Sequence, residues 1–159
     1  MTKYKNFLHR LIATGFGAGY FPKAPGTAGA VLAAVIWYGL TFILSPCHLL
    51  LATASLIVLF TFLGVRSSGV MEVYWGKDPS KVVVDEMVGM WIPLLAVNDG
   101  NLLFAFAAFF LFRLFDIFKP LGIRKMEAIK GGWGIMLDDI LAGIYCLLIL
   151  CVLRWLPGI

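Results

Sequence analysis

The sequence has little charge, two histidines and three cysteines, and these shortages exclude several classes of protein. Charged residues make up 14% of the chain and hydrophobic residues 61%, whereas roughly a quarter of the residues in a soluble domain are charged. Disorder requires low hydrophobicity and high net charge, so the chain is not a disordered one. The cysteines lack the paired spacing of a zinc site or a disulfide framework. The net charge of +4 comes with no basic run and no aromatic platform, so we expect no nucleic-acid partner.

Long apolar stretches dominate the chain instead, at residues 27–44, 49–65, 82–97, 102–118 and 135–153. A membrane-spanning helix needs about 20 mostly apolar residues. We therefore predict an all-α polytopic membrane protein, a single domain over residues 1–159. It would be a helical bundle with about five membrane-embedded helices plus a short N-terminal helix. The third and fourth stretches are short or interrupted, so the alternative is that one of them enters the bilayer without crossing it.

The charges are divided unevenly between the two sides of this bundle. Turns at residues 45–48 and 98–101 contain no lysine or arginine, and all but one of the 13 cations lie on the side away from these turns. Arg154 is the exception, and Asp99 is the only acidic residue in an outer turn. Because cytoplasmic loops carry the excess of lysine and arginine, the charged side is predicted to face the cytoplasm.

Five carboxylates belong to three of the apolar stretches: Asp85, Glu86, Asp116, Asp138 and Asp139. An ionisable group inside a membrane segment costs about 2.5–3.5 kcal/mol on insertion scales, so it usually faces the protein interior or a functional cavity. The five acids would repel one another unless a cation lay between them. Oxygen ligands without nearby histidine or cysteine suit a hard cation, Mg²⁺ above all.

The local pattern around the first two acids gives them no capping role. Asp78 followed by Pro79 is typical of a helix start, which would place Asp85 and Glu86 about two turns inside the helix. The stabilisation of acids by a helix dipole is confined to the first turn, so these two need another reason to exist. Asp85 shares a helix face with Gly89, where the backbone can approach a neighbouring helix closely.

Asp138 and Asp139 are adjacent, so on a helix they point about 100° apart. They line one cleft only if it is wide or holds a cation. Ala142 and Gly143, four residues later, keep the same faces narrow. The alternative is that both acids are merely favoured by the dipole at a helix start.

Arg113, Asp116 and Lys119 follow one another at intervals of three residues, which places them on roughly one helix face. They are either part of a site or an ion-pair ladder worth only tenths of a kcal/mol. Pro120 discourages continuation of the helix.

Residues 15–29 read GFGAGYFPKAPGTAG, with five glycines and with Thr27 near the end. Spaced glycines before a helix allow backbone amides to approach a phosphate. The spacing is neither that of a P-loop nor that of a dinucleotide-binding loop. A structural turn is the alternative.

Four blocks of sequence, in this order, resemble the phosphatidylglycerophosphatase A family: residues 17–29 ending in PGTAG, DPSKVVVDEMVG at 78–89, RLFDIFKP at 113–120 and GGWGIMLDDILAG at 131–143. The resemblance implies a bacterial inner-membrane lipid phosphatase that is magnesium-dependent. Its expected reaction converts phosphatidylglycerophosphate to phosphatidylglycerol and inorganic phosphate, with the bilayer and this lipid as partners. No oligomeric state is predicted.

The residues named above take roles in that chemistry. Asp85, Glu86, Asp116 and Asp139 are the catalytic candidates, and the same four with Asp138 are the candidate Mg²⁺ ligands. The candidates for binding phosphate are Lys119, Arg113, Arg124, Lys130 and Thr27.

The sequence leaves alternatives for the nucleophile and for the class of protein. The nucleophile is a metal-activated water or a carboxylate that forms an aspartyl-phosphate. The alternatives to an enzyme are a cation or proton transporter that uses the same carboxylates, and a non-catalytic membrane scaffold.

Overall fold

Helices account for almost all of the computed structural model, which describes residues 2–97 and 99–155 and contains no strand in these ranges. The all-α prediction is therefore confirmed. Asn98, in one predicted turn, lies outside the described residues. Helices α1 to α6 cover Thr2–Ala13, Pro25–Thr41, Pro46–Trp75, Val84–Leu94, Leu102–Phe118 and Gly132–Trp155, and 3₁₀ segments cover Gly15–Tyr20 and Ile123–Ala128.

The helix ends follow local chemistry. α2 and α3 each begin at a proline, Pro25 and Pro46, which has no amide hydrogen to leave unpaired. At the start of α5 the side chain of Asn101 accepts hydrogen bonds from two backbone amides. α5 ends at Lys119, whose left-handed φ of 46° turns the chain just before Pro120.

α3 and α6 are long and apolar enough to cross a membrane, and α2 is a shorter apolar helix. α3 has 30 residues and α6 has 24, so they measure about 45 and 36 Å at 1.5 Å per residue. The hydrocarbon core of a bilayer is about 30 Å thick. Large apolar side chains on their outer surfaces, such as Val58, Phe62 and Leu148, are more than half exposed. α3 runs ten residues past the predicted apolar stretch, so much of the predicted loop after residue 65 is helical.

α4 is the central helix, packed against α2, α3, α5 and α6. Ten of its 11 residues are buried, and the indole of Trp91 donates a hydrogen bond to the carbonyl of Ala33 at 3.0 Å. Eleven residues measure about 16 Å, half of the hydrocarbon core. The helix formed by the third apolar stretch is therefore shorter than the hydrocarbon core is thick, and whether it enters the bilayer stays a prediction.

The predicted cap at Asp78 is wrong. Asp78 has a φ of 47° in a turn, and α4 begins at Val84 rather than at Pro79. The preceding residue, Val83, donates its amide to the carbonyl of Ala13 at 2.8 Å. This long-range bond holds the segment before α4 out of the helix and overrides the local signal.

Because α4 starts later than predicted, two of the acids lie at a different position in the helix. Asp85 and Glu86 lie in the first turn of α4, not two turns inside a helix. Partial positive charge at the helix N-terminus therefore stabilises both carboxylates.

Charged pairs also occur at the far end of the bundle. Arg154, near the end of α6, makes an ion pair with Asp99 at 2.8 Å. It also donates a hydrogen bond to the carbonyl of Ala96, just after α4. Asp99 and Arg154 are the residues that the charge pattern assigned to the outer side.

α4 and α6 approach each other most closely at two glycines. A β-carbon at Gly143 would lie 2.5 Å from the carbonyl oxygen of Gly89, and one at Gly89 would lie 2.8 Å from the carbonyl oxygen of Asp139. Neither position has room for a side chain. The close approach predicted at both glycines is confirmed.

We expect Gly143→Ala to destabilise the protein by about 1–3 kcal/mol, because the methyl group meets backbone atoms that cannot move aside. Gly39→Ala is the matched control: nothing lies within 4 Å of a β-carbon at Gly39, and alanine is the better helix former by about 1 kcal/mol. Thermal unfolding in detergent would show a lower midpoint for Gly143→Ala and an equal or higher one for Gly39→Ala. Equal midpoints for both variants would contradict the contact.

Candidate active site

The glycine-rich segment holds the N-terminus of α4 in place. A β-carbon at Gly19 would lie 2.0 Å from the carbonyl oxygen of Lys81, and one at Gly29 would lie 2.8 Å from the β-carbon of Val83. Both glycines thus let the chain pack tightly against the segment that leads into α4. At Gly19 and Gly29 the geometry therefore fits the alternative of a structural turn and not a phosphate-binding loop.

Three carboxylates from α4 and α6 form the centre of the site. Asp85, Glu86 and Asp139 each offer an oxygen atom, and these atoms all lie within 4.8 Å of one another. Asp85 is 8% exposed and Asp139 is 3% exposed. Oδ1 of Asp85 and Oε2 of Glu86 are buried and accept no hydrogen bond from the described residues. Buried charges of one sign without partners call for a cation between them. We call these three residues the acidic cluster.

An ion pair on α5 borders the acidic cluster. Arg113 and Asp116 are joined at 2.5 Å, and Nη1 of Arg113 and Oε1 of Glu86 both lie within 3.3 Å of the position that a β-carbon on Gly26 would occupy. Nε of Arg113 is buried and has no hydrogen-bond partner in the part of the chain that the structure describes. Arg113 thus supplies a positive charge at the edge of the cluster with one donor still unused.

The first turn of α2 covers the other side of the cluster. A β-carbon at Gly26 would lie 2.1 Å from Oε1 of Glu86 and 3.3 Å from Nη1 of Arg113. Only a hydrogen atom fits between the helix and these two side chains. Gly26 therefore positions the Glu86 carboxylate by leaving room for it.

Lys119 forms a second group of charges with Asp138 and Glu127. Its Nζ donates to Asp138 at 2.6 Å and to Glu127 at 2.8 Å. The left-handed turn at Lys119 ends α5 and sends the chain toward the start of α6. Lys119 consequently links the 3₁₀ segment before α6 to that helix instead of extending the predicted ladder from Arg113 and Asp116.

The pKa values of Lys119 and Glu127 reflect this bridge. Burial alone would lower the pKa of Lys119, but the hydrogen bonds to Asp138 and Glu127 outweigh it and hold the pKa above its ordinary value. The same bond from Lys119 lowers the pKa of Glu127. Lys119 is therefore a permanent cation at physiological pH.

A polar cavity of about 290 Å³ opens beside this bridge. Its lining combines lysine and carboxylate side chains, namely Glu72, Lys77, Asp78, Glu127 and Asp138. Asp138 lines this cavity, whereas none of the three acids of the cluster is among its lining residues. The cavity forms a water-accessible mouth at the charged end of the bundle.

The structure divides the predicted site residues into a centre and a periphery. Asp85, Glu86 and Asp139 meet in the acidic cluster, with Asp116 and Arg113 beside it, whereas Asp138 is turned to Lys119. The remaining predicted residues lie farther out. Arg124 and Lys130 are exposed before α6, and Thr27 lies half-buried in the first turn of α2.

Sequence reasoning missed two residues of the site. Gly26 was grouped with the other glycines of its segment, and nothing in the spacing distinguished it from them. Glu127 follows Lys119 by eight residues across an irregular connection, so no periodicity joins the two. The PGTAG block was the only signal that pointed near Gly26.

Comparison with known proteins identifies the family to which the chain belongs. The sequence profile described as Phosphatidylglycerophosphatase A matches residues 11–154. A putative phosphatidylinositol-3-phosphatase from Bacteroides thetaiotaomicron is 58% identical over 158 residues, 98% of this chain and 99% of that protein. No solved structure matches the chain.

Two further relatives carry the family's own description. The phosphatidylglycerophosphatase A of Haemophilus influenzae is 36% identical over 146 residues, 91% of this chain and 88% of that protein. The protein of the same description from Escherichia coli is 37% identical over 135 residues, 84% of this chain and 76% of that protein. With the acidic cluster, these similarities define the class of the protein as a phosphatase enzyme. The chain belongs to the phosphatidylglycerophosphatase A family, and the resemblance of the four sequence blocks is confirmed.

We expect Gly26→Ala to lower phosphatase turnover on the order of 10- to 100-fold, because the methyl group displaces the carboxylate of Glu86. The atom it meets is the end of a side chain rather than backbone, so the thermal midpoint should fall less than in Gly143→Ala. Gly39→Ala, in the same helix, is the control for helix propensity. Full activity in Gly26→Ala would show that the position of Glu86 does not matter.

Proposed function

We propose that the protein is a magnesium-dependent lipid phosphatase that hydrolyses phosphatidylglycerophosphate to phosphatidylglycerol and inorganic phosphate. The observation that carries this proposal is the acidic cluster, whose buried oxygens lack partners in a chain of this family. Two relatives are named for this activity.

The residues present fit a divalent cation. Asp85, Glu86 and Asp139 would hold Mg²⁺, because carboxylate oxygens are its preferred protein ligands and two buried oxygens here have no hydrogen-bond partner among the described residues. Asp116 would act through its ion pair with Arg113, and Asp138 would act through Lys119. When bound, Mg²⁺ neutralises negative charge on a phosphate group and makes water more acidic.

The side chains of this protein would do the rest of the work. Arg113 and Lys119 hold fixed positive charges on two sides of the cluster and attract the phosphate dianion. A water oxygen forms a bond to phosphorus while the bond from phosphorus to the glycerol oxygen breaks. A carboxylate of the cluster takes one proton from the water, and the leaving oxygen receives one from solvent. Attack by an aspartate, followed by hydrolysis of the acyl phosphate, is the alternative sequence.

The apolar exterior and the charged end support a place in the bacterial cytoplasmic membrane. Large exposed side chains on α2, α3, α5 and α6 are apolar, as expected of surfaces in contact with lipid. The cations near the acidic cluster outnumber those at the far end, so the active site would face the cytoplasm. α4 would be embedded beside four longer helices without crossing.

A second substrate has one observation behind it. The relative from Bacteroides thetaiotaomicron is named a putative phosphatidylinositol-3-phosphatase. Phosphatidylinositol 3-phosphate is also a phosphomonoester on a lipid headgroup, so the same acids and cations would serve both reactions.

Transport is less well supported than hydrolysis. A transport path needs polar groups that continue from the acidic cluster to the far end of the bundle. Beyond its first turn, α4 instead presents buried apolar residues such as Met87, Met90 and Leu94.

Asp85→Asn should lower phosphate release by at least about 100-fold, because it removes a charge that a metal ligand needs. Asp99→Asn is the matched control, since Asp99 pairs with Arg154 at the other end of the bundle. Phosphate release from lipid in detergent micelles measures both, and gel filtration checks that each variant folds. If Asp85→Asn kept the activity of Asp99→Asn, the metal assignment would fail.

Removal of divalent ions with a chelator should abolish phosphate release, and added Mg²⁺ should restore it. Activity that persists in chelator would overturn the magnesium dependence.

We expect phosphatidylglycerophosphate to be the better substrate when it is compared with phosphatidylinositol 3-phosphate and phosphatidic acid under equal conditions. A higher kcat/KM for the inositol lipid would favour the second substrate instead.

A further inference from the structure

We propose that a groove between α2 and α5 holds one fatty acyl chain of the lipid substrate, an inference that rests on the proposed function. Two apolar cavities, of about 380 and 370 Å³, lie along α2. Val31 and Val35 line both of them, so the two cavities adjoin along α2, and α5 lines the one of about 370 Å³ as well. We call the two cavities together the α2–α5 groove.

The groove has the length of one lipid leaflet. Thr27 lines one end and Tyr38 lines the other, and these residues are about 16 Å apart along the helix at 1.5 Å per residue. Half of the hydrocarbon core of a bilayer is about 15 Å. An extended acyl chain that starts at the membrane surface would end where the groove ends.

One end of the groove reaches the candidate active site. On α5, Phe106 and Phe109 line the groove, and Arg113 follows Phe109 by four residues on the same helix face. On α2, Thr27 is next to Gly26, which contacts Glu86 and Arg113. One end of the groove therefore lies close to Arg113, a cation beside the acidic cluster, while the side chains that line the groove itself carry no charge.

This combination selects an amphipathic, anionic lipid as the occupant. A chain attached to a phosphate headgroup would place its charge at Arg113 and its methylene groups along the alanines and valines of the groove. A helix from a second copy of the protein would continue across both leaflets, whereas the groove spans one.

The chain offers a matched control on α3. A surface cavity of about 530 Å³ is lined by apolar residues and Ser55 between positions 51 and 63; like the groove, it has no charged side chain in its lining. Val58 in this cavity is 57% exposed and Val35 in the groove is 60% exposed. Val35→Trp and Val58→Trp therefore place the same bulk in two similar apolar surfaces, of which only one adjoins the acidic cluster.

The first experiment compares long-chain and short-chain, water-soluble phosphatidylglycerophosphate in detergent micelles. Val35→Trp should lower kcat/KM for the long-chain form by roughly tenfold, because the chain no longer positions the headgroup. It should leave the short-chain form unchanged, which also shows that the variant is folded. Val58→Trp should change neither. An equal loss for both chain lengths in Val35→Trp, or the same selectivity in Val58→Trp, would overturn the proposal.

The second experiment does not depend on turnover. A phosphatidic acid with a photoreactive group on its acyl chain should label peptides of α2 and α5 several times more than α3, and Val35→Trp should remove the excess. Equal labelling of all three helices would reject the groove even if the enzyme hydrolyses the lipid. Failure of the wild type to release phosphate, together with labelling of α2 and α5, would reject the proposed function and keep the groove. A change of oligomeric state in Val35→Trp with unaltered selectivity would assign the groove to a second copy.

Discussion

Repulsion among buried carboxylates is the constraint on which the rest of the structure depends. Asp85, Glu86 and Asp139 are held within a few ångströms of one another in an apolar bundle. Such an arrangement is costly unless positive charge surrounds and separates the acids. The N-terminus of α4, the guanidinium of Arg113 and a bound cation would each contribute part of that charge.

The same constraint explains why the charges fall into two groups. Lys119 pairs with Asp138 and Glu127, so this group contains its own cation and ties the 3₁₀ segment before α6 to the first turns of α6. The acidic cluster is not neutralised by the described residues alone. Two adjacent residues of α6 thus have different roles. Asp138 binds Lys119 beside the polar cavity, and Asp139 belongs to the acidic cluster.

Much of this arrangement could be predicted from sequence, for physical reasons. Five apolar stretches leave few alternatives to helices, and buried acids on separate helices have few tolerable places other than a common site. The start of α4 could not be predicted, because the backbone bond from Val83 to Ala13 joins residues 70 positions apart along the chain. The partners of Lys119 were hidden for a similar reason: a left-handed residue breaks the periodicity on which the predicted ladder relied. The role of Gly26 depends on its contact with Glu86, which lies 60 residues away along the chain. The spacing of nearby residues therefore could not predict it.

The glycine contact between α4 and α6 has a consequence for ion selectivity. Gly89 follows Asp85 by four residues and Gly143 follows Asp139 by four, so the tightest contact lies one helical turn below the acids on both helices. The two backbones cannot come closer there, and a methyl group would force them apart. Residue volume at these positions therefore sets the gap that the carboxylates span. For the proposed Mg²⁺, a narrow gap would suit its short bonds to oxygen and would disfavour Ca²⁺, whose bonds to oxygen are longer by a few tenths of an ångström.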